Sequence, residues 1–151
     1  MKIRTAFVAA LVVAAAVATT GCGHAMMLMH GKNVARPAAT EFGIGPRVSA
    51  SRQFTATLQS ERPLRPRRMQ TVRVAITDAA GVPVDDATIQ IDGGMPQHGH
   101  GLPTRPRVTR ALGNGLYEIE GVRFNMGGWW EFKLAINAAS GSDVVTFNLA
   151  L

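Results

Sequence analysis

From Phe54 onward the chain alternates between apolar and polar positions with a period of two. Phe54, Ala56 and Leu58 alternate with Gln53, Thr55, Thr57 and Gln59. Val72, Val74 and Ile76 alternate with Arg73, Ala75 and Thr77, and Ile89 and Ile91 flank Gln90. Tyr117 and Ile119 alternate with Glu118 and Glu120. Trp130, Phe132, Leu134 and Ile136 alternate with Glu131, Lys133 and Ala135, and Val145, Phe147 and Leu149 close the pattern. Successive side chains on a strand point to opposite faces, so this period marks strands with one buried and one wet face. Turn-forming runs separate them: "DAAGVP", "LGNGL", "NMGG" and "ASGSD". The spacing predicts seven strands, near 52–60, 69–77, 86–92, 107–111, 115–124, 129–138 and 143–150. That cadence is the mark of an all-β antiparallel sandwich. No helix of useful length is expected after residue 21.

The N-terminal third reads differently. Lys2 and Arg4 precede the apolar run "AFVAALVVAAAVA", followed by Thr19, Thr20 and Gly21. A basic start, an apolar run of this length and a small-residue exit describe an export signal over residues 1–21. The run is shorter than an ordinary spanning helix. Cys22, the only cysteine of the 151 residues, follows directly. "ATTGCG" resembles a bacterial lipoprotein cleavage box, which makes Cys22 the candidate acylated residue and anchors the protein to a membrane. Ordinary cleavage after Ala18 or Ala25 is the alternative. With one cysteine, no internal disulfide supports the domain. Residues 22–50 are rich in Gly, Pro, Ala and Ser without sustained periodicity and read as a flexible tether. Residues 51–151 form the expected single domain, in an extracytoplasmic or periplasmic location.

Charge narrows the function classes. Removal of residues 1–21 takes away Lys2 and Arg4 and no acids. That leaves 14 basic against 10 acidic side chains, a net charge of +4 where the whole chain carries +6. The arginines are scattered through Pro-containing loops, "ERPLRPRR" and "TRPRVTR", without interleaved aromatic residues. A nucleic-acid platform needs both, so no nucleic-acid partner is expected. There is no G-x-S-x-G, Walker loop or dinucleotide fingerprint, and the chain is not expected to be an enzyme.

The histidines carry the candidate chemistry. All four, His24, His30, His98 and His100, lie in "HAMMLMH" and "MPQHGH". Met26, Met27, Met29 and Met95 share those two segments; Met69 and Met126 lie elsewhere. Imidazole suits copper, and thioether sulfur favours Cu(I). His98 and His100 are separated only by Gly99, so on a strand they face one way. Each connection of an up-and-down count reverses direction, which brings the loops at 61–68, 93–106 and 125–128 to one end. Met126 then joins Met95, His98 and His100 as a candidate metal-ligand set. The "HAMMLMH" segment, with His24, Met26, Met27, Met29 and His30, is a possible second one. The other reading of the same residues is a solvated turn. Trp130 shares its phase with Phe132 and belongs in the core, while Trp129 faces outward to cap the loop end or meet a partner.

The run "MPQHGHGLPTRPRVTRALGNGLYEIEGVRFNMGGWWEFKLAI" resembles the YtkA-like family, a group related to FixH-like proteins. The matching positions are Met95, Pro96, His98, Gly99, His100, Gly101, Tyr117, Gly121, Phe124, Met126, Gly128 and Trp130. The resemblance covers roughly residues 50–150. It implies a bacterial extracytoplasmic or membrane-tethered domain with an immunoglobulin-like sandwich. FixH-like relatives are associated with cytochrome oxidase assembly, and some related sandwich domains carry copper. This chain departs from the FixH-like pattern in having a cleavable export signal where those proteins retain a spanning helix. Two functions follow as expectations. The first is an exported, lipid-anchored carrier or sensor that binds copper, as Cu(I), at the loop end. The second is a metal-free module that grips an envelope protein partner with the same end.

Overall fold

The computed structural model describes residues 34–151. The expected signal at 1–21, Cys22 and the segment from His24 to His30 lie outside the described residues. Nine strands follow one turn of 3-10 helix at Ala39–Glu41. They are β1 (Arg47–Val48), β2 (Phe54–Gln59), β3 (Met69–Asp78), β4 (Thr88–Met95), β5 (His100–Gly101), β6 (Arg107–Gly113), β7 (Leu116–Arg123), β8 (Trp129–Ala138) and β9 (Gly141–Ala150). All seven expected strands are present. The two additions, β1 and β5, are two residues each, too short to carry an alternation signal.

The strands form two antiparallel sheets, in the orders β1-β2-β3-β7-β6 and β5-β4-β8-β9. Setting β1 and β5 aside, the first sheet holds the first, second, fifth and fourth long strands. The second holds the third, sixth and seventh. That partition is the one of a constant-type immunoglobulin sandwich. The inward positions of the alternation fill the space between the sheets, with Phe54, Val74, Ile76, Ile119, Trp130, Phe132, Leu134 and Phe147 fully buried. Phe124 presents its ring edge-on to Trp130 at 5.2 Å and to Phe132 at 6.3 Å, an arrangement that aromatic quadrupoles favour.

The stretch from Ala39 to Ala50, read as tether from its missing periodicity, packs along the side of the sandwich. Phe42 forms a parallel bridge with Asn148 of β9, and Leu58 N of β2 donates to Ile44 O at 2.9 Å. β1 then pairs with β2, and Ala50 N donates to Val144 O of β9 at 3.0 Å. Backbone groups make most of these contacts, so a hydrophobic period does not record them. The segment covers Trp129, whose ring meets Phe42 edge-on at 6.4 Å and whose Nε1 donates to Asn148 Oδ1 at 2.9 Å. Trp129 faces outward, as its phase requires, but its cover is this chain's own N-terminal segment.

Two carboxylates brace the scaffold. Glu118, on β7 and only 5 % exposed, is held by Arg110 at 2.7 Å and by Arg73 at 3.4 Å. The hydrogen bond from Arg110 is the main reason its carboxyl sits below the usual range, with Arg73 adding to it. Burial alone pushes Asp143 up. Hydrogen bonds from the Ser49 hydroxyl and from the N–H groups of Val144, Ser51 and Gln53 outweigh it and hold Asp143 low. Both groups are depressed in the folded state. Their contribution is therefore present above the unfolded carboxylate range and is lost as pH falls through their folded values. Urea midpoints measured from neutral pH downward should drop across that window. Glu118→Gln and Asp143→Asn should each lower the neutral midpoint and flatten the acid limb.

Candidate functional site

The segment around the two histidines is a hairpin and not an open loop. β4 runs on through Gly93 and Gly94 to Met95, three residues beyond its expected end. These glycines admit close backbone neighbours. A Cβ on Gly93 would stand 2.5 Å from Glu131 O, and one on Gly94 would stand 2.5 Å from His100 O. The chain turns at Pro96–Gly99, where His98 N and Gly99 N both donate to Met95 O at 3.0 and 2.9 Å. Gly99 has φ 66°, the left-handed conformation that a glycine adopts without steric cost. β5 then returns along β4, with Gly94 opposite Gly101, Met95 opposite His100, and Leu102 N donating to Gly93 O at 3.0 Å.

This register fixes the histidines. Residues directly opposite on antiparallel strands project to the same face, so His100 stands on the side of the hairpin that Met95 uses. His98 sits in the turn, and its ring lies nearly parallel to that of His100, at 9° with centroids 6.2 Å apart. Both side chains are exposed. Among the described residues no group of three or more His, Cys, Asp or Glu side chains gathers at one point. Any metal held here needs sulfur, backbone or solvent ligands besides the two imidazoles.

The methionines divide. Met95 is a core residue, 2 % exposed, and a Cβ on Gly128 would come within 2.7 Å of its methyl group. It forms the floor beneath the hairpin and is not offered at the surface. Met126 is 37 % exposed in the connection between β7 and β8. That connection is pinned from within, because Trp130 Nε1 donates to Met126 O at 3.0 Å. Strand directions put 60–68, 96–106 and 124–128 at one end of the sandwich, as the reversal count expects. Arg67 N donates to Phe124 O at 2.6 Å, and Thr104 Oγ1 donates to Gly121 O at 2.7 Å, which tie these connections together. Met69 opens β3 opposite Arg123 and is exposed at this same end. It is a further thioether that the histidine-centred reading passed over. The reversal count alone was enough to place it there.

A solved structure of a ZirS C-terminal domain aligns with 99 % of this chain and 95 % of its own, at 12 % identity and a TM-score of 0.37. No curated protein matches the chain. A sequence model described as YtkA-like matches residues 49–135, which span β2 to β8 with the histidine hairpin and the Met126 connection inside them. With more than half of its length matched, the chain belongs to the YtkA-like family.

Proposed function

We infer that this protein is an extracytoplasmic, non-catalytic domain that binds Cu(I) at the histidine end of the sandwich, as a carrier or sensor. The family and the fold suit an extracytoplasmic domain. The observation that carries the metal reading is the hairpin itself, which holds His98 and His100 side by side, exposed and on one rim. Met126 supplies the thioether, and Met95 supports the floor. Two imidazoles and a thioether make a soft, neutral donor set, which favours Cu(I) over hard divalent ions. Backbone hydrogen bonds to Met95 O and Met126 O tie the hairpin turn and the Met126 connection to the scaffold, and this lowers the ordering cost of binding.

Competition of the purified protein against a Cu(I) chelator tests this. One equivalent is expected to bind. His98→Ala and His100→Ala should each weaken it, and Met126→Leu should weaken it without loss of fold, because Leu and Met exchange with little strain. Stoichiometric binding that survives removal of both loop histidines would move the site to His24–His30. No binding in any variant would favour a metal-free interaction module. The lipid anchor at Cys22 is a separate part of the proposal. The protein should enter the detergent phase on partition, and Cys22→Ser should release it.

A further inference from the structure

We propose that a second site lies on the outer face of the five-stranded sheet, a groove of arginines that binds a phosphate ester, either free or as the headgroup of an anionic lipid. The groove is open to solvent, with a volume of about 830 Å³, and runs between the connection 60–68, the end of β2, the first half of β3 and Glu118 of β7. Arg62, Arg65 and Arg68 line it from the connection, and Arg73 and Glu118 form its floor. Glu118 is already engaged by Arg110 and Arg73, and Glu61 reaches only Arg73, at 3.5 Å. Among the described residues, Arg62, Arg65 and Arg68 make no ion pair. The groove therefore carries three uncompensated guanidinium groups.

The backbone that presents them is stapled. Gln70 Oε1 accepts from Arg65 N at 2.8 Å, and Gln70 Nε2 donates to Arg65 O at 3.0 Å. The Ser60 hydroxyl donates to Arg62 O at 2.7 Å, and Arg67 N ties the far side to Phe124 O. Leu64 packs against the core between them. These ties fix the backbone of the connection, while the side chains of Arg62, Arg65 and Arg68 stay exposed. Arginine forks match phosphate oxygens in pairs, and a fixed backbone reduces the ordering cost of that match. The groove has room for an ester as well as for a bare ion. It is on the other sheet from the histidine hairpin, although its wall, the connection 60–68, is at the same end of the sandwich, and the proposal does not depend on the metal reading.

The test uses the full chain carrying Cys22→Ser, so that acylation does not drive membrane binding. Two probes are titrated: glycerol 3-phosphate, followed by amide shifts, and vesicles of phosphatidylcholine with and without phosphatidylglycerol. Saturable binding of at least one probe is expected, with the shifts centred on residues 60–73. Binding of glycerol 3-phosphate alone assigns a free ester, and selective binding of phosphatidylglycerol vesicles alone assigns a headgroup. Arg65→Gln/Arg68→Gln should weaken the bound probe on the order of tenfold, because it removes two charge-assisted contacts. Arg105→Gln/Arg107→Gln removes the same charge from exposed positions outside the groove and should change affinity much less. Equal weakening by both pairs, or no binding of either probe, would overturn the proposal.

Discussion

Replacing Trp130 with alanine is expected to cost about 3–5 kcal/mol, measured by urea denaturation at neutral pH. Trp130 is fully buried, meets the Phe124 ring at 5.2 Å and stands opposite Leu149 across the β8–β9 ladder. Truncation opens a cavity between the sheets and removes the donor that satisfies Met126 O. Trp129→Ala is expected to cost clearly less. That ring lies outside the main core cluster and is covered on one side by the Phe42 segment. The comparison is sharp because the two residues are adjacent and chemically identical. The opposite ranking would mean that β8 is paired one residue out of register, which would turn every inward side chain of the strand outward.

Gly94→Ala is the second large effect, and it falls on the site and not on the core. The new methyl would meet His100 O at 2.5 Å, a distance that backbone cannot accept without moving. β5 is held by two residue pairs, so it is the element that yields. The cost in stability should be about 1–3 kcal/mol, the range for overpacking. The consequence for copper is larger: once His100 leaves its register opposite Met95, the two imidazoles no longer share a rim. Cu(I) affinity should fall nearly as far as in His100→Ala. Gly99→Ala makes the comparison, since a Cβ there meets nothing within 4 Å and only the left-handed backbone at φ 66° resists it. It should disturb the site less than Gly94→Ala.

Burial leaves a periodic record, and the long strands were legible for that reason. The phase of Phe132, Leu134 and Ile136 placed Trp130 inside without any structure. β6 is an edge strand with exposed side chains along most of its length, so only its flanking turns and "RVTR" marked it. The extension of β4 to Met95 was hidden because Gly93 and Gly94 carry no side chain to alternate. Met95 itself was readable, because it continues the inward phase of Ile89 and Ile91. The packing of Phe42 on Trp129 was not readable, because one aromatic residue in an aperiodic stretch gives no partner. Counting reversals brought the loops of the candidate site to one end. It could not show that a hairpin, with its own register, fixes the histidines there.

The proposed copper site holds one ion between His98 and His100. Imidazole nitrogen resonances of the 15N-labelled protein, followed while Cu(I) is added to one equivalent, test it most directly. One ring nitrogen on each of His98 and His100 should shift together and saturate at one equivalent, with His24 and His30 unchanged until more metal is present. Shifts that begin at His24 and His30, or that leave the hairpin histidines unmoved at saturation, would contradict it.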